Sequence, residues 1–141
     1  MARTPMHLWI VGVLALLWNA FGAFNYLMTQ LRVEAVMAGL TAAQRTYIEN
    51  FPPWSEAAWA LGVWGGVAGA LLLVLRNRLA VAAFAVSIAG LAATSLYQYA
   101  LSSPPEEMVQ GSGLILHLII WAIAVGLLLY AIGMRRRGVL R

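Results

Sequence analysis

The stretch AAWALGVWGGVAGALLLVL (residues 57–75), RNR (76–78) and LAVAAFAVSIAGLAATSLYQYAL (79–101) decides the fold. Two long apolar runs, neither with a formal charge, flank a three-residue link that carries two arginines. A run of roughly 20 apolar residues crosses about 30 Å of hydrocarbon as a helix. The runs are continuous rather than alternating, and an open sheet edge is not tolerated in lipid, so strands are not expected. The Arg76-Asn77-Arg78 link makes the two helices antiparallel neighbours. Working outward, Leu8 to Met28 and Leu114 to Ile132 are two further uncharged spans. The sequence therefore predicts an all-α, integral membrane four-helix bundle that fills residues 1–141 as one domain.

Composition agrees. Of 141 residues, 62% are hydrophobic and 10% are charged, against about a quarter charged in soluble domains. That excludes a water-soluble enzyme and a disordered chain. The net charge of +4 does not imply nucleic acid, because the charges sit at the ends of apolar runs; the bilayer is the expected partner. The absence of Cys removes disulfides and thiolate chemistry.

Arginine placement gives an expected orientation. Arg3, Arg76, Arg78, Arg135, Arg136, Arg137 and Arg141 share one side. Arg32 and Arg45 share the other with all five glutamates, Glu34, Glu49, Glu56, Glu106 and Glu107. Both termini are thus expected in the cytoplasm, with the protein in a bacterial inner membrane. Arg3, the apolar run and Ala20-Phe21-Gly22 imitate a signal peptide, but the run continues through Leu27, too long for an ordinary h-region.

Residues 29–53 form the sizeable loop. Gln30 to Ala38 contains no breaker, so span one is expected to project beyond the membrane, with Gly39 as its cap. Thr41-Ala42-Ala43-Gln44 fits a capping box opening a short amphipathic helix from about Ala42 to Asn50. Pro52-Pro53 ends it. Such a helix either rests on the membrane interface or covers a cavity among the helix ends.

Close backbone approach drives helix association in lipid. Span two carries Ala58, Gly62, Gly66 and Ala70 at four-residue spacing, widened by Gly65 and Gly69. Span three carries Ala80, Ala83, Ser87, Gly90 and Thr94. These stripes are expected to face each other or span one. Trp54, Trp59, Tyr97, Tyr99, Trp9 and Tyr130 are placed as interfacial anchors, whereas Trp18, Trp64 and Trp121 lie near mid-membrane, where an indole N–H needs an acceptor.

Polar residues within spans point to function or to interhelical bonding. Asn19, Asn25, Thr94, Ser95, Gln98 and His117 are expected to converge on one polar pocket towards the loop side. His117 is also the one candidate for holding a cofactor: Gly113, His117 and Trp121, spaced by four, resemble the local arrangement by which antenna polypeptides hold bacteriochlorophyll. No cofactor is otherwise expected. Catalytic inventory is lacking. There is no Asp for intramembrane aspartyl chemistry and no Lys for a Ser–Lys pair. Two His at opposite faces do not make a zinc site, which takes about three protein ligands. Ser95 with His117 could form a nucleophile–base pair, but no acid in the spans orients the imidazole.

The run Trp18-Asn19-Ala20-Phe21-Gly22-Ala23-Phe24-Asn25-Tyr26-Leu27-Met28-Thr29 resembles a family of short proteobacterial inner-membrane proteins that share Trp-Asn-x-x-Gly-x-x-Asp/Asn-Tyr. Phe51-Pro52-Pro53-Trp54, 58–65, 72–76 and Tyr97-Gln98 extend the likeness over most of the chain. The resemblance implies four spans. The label of sugar transporter sometimes given to members finds no support in these residues. Many members have Asp where this chain has Asn25, so any role that needs that charge is missing here. The functions that remain are an accessory or assembly subunit with a membrane-protein partner, then a small-solute channel or carrier acting as a homo-oligomer, then lipid or pigment binding between helices.

Overall fold

The computed structural model describes residues 3–141; Met1 and Ala2 lie outside the described residues. Four helices are long and apolar enough to cross a membrane, and no strand occurs among the described residues. Helix α1 spans Met6–Gln30, α4 Pro53–Val74, α5 Ala80–Leu96 and α7 Ser112–Arg136. Helix α5 runs on as a π-helical turn, Tyr97–Leu101. Between α1 and α4 lie α2, Glu34–Met37, and α3, Ala42–Glu49; α6, Glu106–Val109, precedes α7.

The capping box forms as read. Thr41 Oγ1 accepts from Gln44 N–H at 3.2 Å, and Gln44 Oε1 accepts from Thr41 N–H at 2.9 Å. The expected extension of span one to Ala38 does not occur. Arg32 adopts a left-handed φ of 52°. Its N–H bonds Thr29 O, and Val33 N–H bonds Met28 O, which together close a Schellman motif. Exposed ion pairs then tie the turn after α1, and α2, to α3. Arg32 meets Glu49 at 3.8 Å and Arg45 meets Glu34 at 3.9 Å. Arg45 and Glu49, one turn apart on α3, thus each pair outside that helix.

Arg76 repeats the device at φ 58° in the α4–α5 link. Its N–H bonds Leu73 O and Asn77 N–H bonds Leu72 O, while Asn77 Oδ1 takes the Leu79 N–H. Gly138 repeats it after α7 and turns the tail back. Arg78 N–H donates to Arg141 O at 2.8 Å and Arg141 N–H to Arg76 O at 2.7 Å. The tail is thereby stitched to the link, and Val139 and Leu140 are buried in one core with Leu8, Leu73, Phe84, Ala131 and Met134.

The small residues of α4 face two neighbours. Gly62, Gly65 and Gly90 bring the α4 and α5 backbones together, and Ser87 Oγ donates to Gly62 O at 2.5 Å across the seam. Gly66 instead faces α1, where Asn19 Oδ1 occupies the space a Cβ would need; Gly12 of α1 likewise faces Val74. Ala58 is nearly buried and Ala70 fully buried, and the Ala58 and Ala83 carbonyls lie against Gly90 and Gly65. Helix α7 packs on the far side of α5. At the arginine-rich end α1 and α7 also meet, through a hydrogen bond between His7 Nδ1 and the Tyr130 hydroxyl. Towards the loop end a cleft separates residues 18–25 of α1 from 116–127 of α7.

Candidate functional site

The cleft has a volume of about 380 Å³ and opens between α1 and α7, with α4 and α5 behind it. Asn19, Asn25, Thr94, Gln98 and His117 line it, as does Ser87. Ser95 does not; it sits beside His117. The sequence-predicted pocket is thus largely one place, but its polar groups are unequal. Asn19 Nδ2 donates to Ala15 O at 2.8 Å, Thr94 Oγ1 to Gly90 O at 2.9 Å and Ser95 Oγ to Leu91 O at 2.7 Å. These groups are bonded to their own helices, one turn back. Gln98 Nε2 reaches Met108 O at 3.3 Å. Asn25 lends only its backbone carbonyl, to Thr29 Oγ1. Its exposed side-chain amide has no protein partner among the described residues.

Behind the cleft, Trp121 supplies the structure's answer to its mid-membrane indole. Trp121 Nε1–H is shared between Ser95 Oγ and His117 Nε2, both at 3.1 Å. Ser95 Oγ and His117 Nε2 lie 3.2 Å apart. An indole can only donate, so His117 Nε2 acts as acceptor and the neutral imidazole carries its proton on Nδ1. The Ser95 proton points to Leu91 O, so its hydroxyl is held for structure. Tyr99 covers one side of the imidazole at 4.9 Å between ring centroids. Gly113 opens no slot beside His117; α6 presses on it, with Glu107 O and the Met108 backbone where a Cβ would go. No group of three or more metal-ligating side chains forms among the described residues.

No family model, curated protein or solved structure matches this chain.

An aromatic cap covers the loop ends of α4 and α5. Tyr97 stacks on Tyr47 at 6.0 Å and meets Phe51 and Trp54 edge-on at 5.4 and 5.6 Å. Phe51 touches Trp59, which takes Tyr26 of α1 edge-on at 4.9 Å. The Tyr47 hydroxyl bonds Ser102 Oγ at 2.7 Å. Burial raises the Tyr47 phenol above its ordinary pKa, more than the Ser102 bond lowers it, and Tyr97 adds to the rise. Helix α3 is pinned to the bundle by this cap, yet no α3 residue lines the cleft; Trp59 is the cap residue that does.

Sequence reasoning missed the apolar walls. Trp18, Phe21 and Gly22 line the cleft with Asn25. Their spacing puts them on one α1 face, a signal present in the sequence. Phe84 is 2% exposed and lines the deep end. Nothing in the helix pattern distinguishes it from other core residues.

Proposed function

We propose that this chain is a non-catalytic protein of the bacterial inner membrane that takes one lipid-phase molecule into the cleft between α1 and α7. The observation that carries the reading is the cleft's size. Ligand pockets run from about 300 to 1,000 Å³, and 380 Å³ lies in that range. A through-channel in one copy finds little support, because Leu8, Leu73, Ala131, Val139 and Leu140 close the arginine-rich end.

A second reading, as an accessory subunit, is supported by a different surface. Along the opposite side of the α4–α5 seam runs an open groove of about 740 Å³, floored by Ala60, Gly65, Ala68, Ala82 and Ala83. Small residues of this kind admit a neighbouring transmembrane helix. The arginine bias supports a cytoplasmic side for the tail and the α4–α5 link, and the resemblance to short proteobacterial inner-membrane proteins is consistent with it.

Purification in a mild detergent, followed by native mass spectrometry, tests both readings. The first expects one small organic molecule per chain, extractable by solvent. Co-elution with a larger membrane protein, with an empty cleft, would favour the second. A chain that carries neither and binds no added lipid refutes the ligand reading.

A further inference from the structure

We infer that the molecule held in the cleft is an uncharged lipid with a small oxygen-bearing head and one apolar tail, bound with its head towards the loop end. This inference rests on the ligand reading above and adds the chemistry and direction of the occupant.

Depth separates the polar groups that remain available from those already used. At about 1.5 Å per residue, Gln98 lies roughly 5 Å, and Asn25 and His117 roughly 8 Å, below the loop ends of their helices. Phe84 and Leu127 lie roughly 25 and 23 Å down on the same scale. All five line the one cleft, which is therefore about 20 Å long on that scale. Two polar side chains lie deeper. Ser87 gives its hydroxyl proton to Gly62 O, and Asn19 gives one N–H to Ala15 O and sets its Oδ1 against Gly66. The deep end is otherwise walled by Phe84, Ile123, Ala124 and Leu127.

The mouth is different. The Asn25 amide keeps both its donors and its acceptor, Gln98 keeps its carbonyl and a second N–H, and His117 keeps Nδ1–H. Together these groups match carbonyl or hydroxyl oxygens on a head. None of the lining residues carries a formal charge. The two loop arginines, Arg32 and Arg45, do not line the cleft and face Glu49 and Glu34 in exposed ion pairs. A phosphodiester drawn into the cleft would lose water without gaining a counter-charge, a costly exchange. A monoacylglycerol and a short-tailed benzoquinone share the required chemistry and differ in having a polyol or a ring as head.

The test is competition on the intact, delipidated chain in a neutral detergent, read by native mass spectrometry. The probes are monoolein, a decyl benzoquinone and phosphatidylglycerol with matched chains, at equal concentration. A one-to-one adduct with a neutral probe is expected, and the preferred one identifies the head. Asn25→Leu with Gln98→Leu is expected to weaken that adduct by roughly two- to tenfold, the loss of one ordinary hydrogen bond. Asn25→Leu alone should leave the thermal midpoint in place, since Asn25 is exposed, whereas Gln98→Leu also gives up the bond to Met108 O. Ala124→Phe, which fills the deep end, should abolish the adduct. Phosphatidylglycerol winning the competition, or a double variant that binds the neutral probes unchanged, overturns the head chemistry. If no probe forms an adduct, or if Ala124→Phe leaves the adduct intact, the ligand reading itself falls.

Discussion

Gly62 and Gly90 face each other across the α4–α5 seam, and replacing each by alanine should have opposite consequences. A Cβ on Gly90 would lie 2.5 Å from Ala58 O and Gly62 N and 3.1 Å from Gly62 Cα, all backbone atoms of α4. Backbone cannot rotate away, so the helices must part by about 1 Å to reach ordinary contact. That movement also stretches the Ser87 Oγ bond to Gly62 O, now 2.5 Å. Overpacking costs about 1–3 kcal/mol. The strained interhelical bond adds about 0.6 kcal/mol, its average worth in membranes. Alanine returns about 0.8–1.0 kcal/mol of helix propensity. The net is about 1–3 kcal/mol of destabilisation for Gly90→Ala, taking these terms together. A Cβ on Gly62 meets nothing closer than Leu91 N at 3.5 Å. Only the propensity gain remains, so Gly62→Ala should stabilise by about 0.5–1 kcal/mol. Reversible unfolding in mixed micelles, followed by helicity, measures both. Equal stabilities for the two variants, or a more stable Gly90→Ala, would refute the seam as described.

Three further substitutions probe other parts. Leu140→Ala, at a site 5% exposed, should cost about 2–4 kcal/mol as a core truncation, seen as a lower thermal midpoint, whereas a surface tail would show no change. Arg32→Gly relieves a left-handed φ of 52° and loses only an exposed ion pair; a gain of about 0.5–1 kcal/mol is expected in the same assay. For Tyr47 the folded-state pKa is raised, so its contribution is whole below the ordinary phenol pKa of about 10 and is lost as pH rises through the higher folded value. Protection of α3 from limited proteolysis should fall over that alkaline range in the parent. Tyr47→Phe should be weaker at neutral pH, lacking the Ser102 bond, and insensitive to the alkaline change.

The spans were legible because bilayer thickness acts on every residue of a long apolar run, and the capping box because its two bonds are local. Span one stopped short of its expected end for a different reason. Leu31 and Arg32 carry no breaker, and the turn is closed by backbone bonds from Arg32 N–H to Thr29 O and Val33 N–H to Met28 O, which no residue type there announces. The tail was likewise invisible. Gly138-Val139-Leu140 looks like a short solvated end, and only the folded positions of Arg76 and Arg78 make it an anchor. Within the candidate site, residue type and depth gathered Asn25, Gln98 and His117 at one level. They did not show that Asn19, Thr94 and Ser87 each give a donor to a backbone carbonyl. That distinction depends on rotamers, and a helix-bonded amide and a ligand-facing amide have the same letter.

The stitched tail also bears on how the protein is made. Leu8 and Leu140 belong to one core, yet about 130 residues of synthesis separate them, roughly 7–26 s at 5–20 residues per second. During that interval the first span stands in the bilayer with its basal contacts incomplete, and α4 with α5 is the hairpin able to form meanwhile. An insertion factor or a neighbouring chain that sheltered the first span would act in this window, before Val139 and Leu140 arrive to close the base.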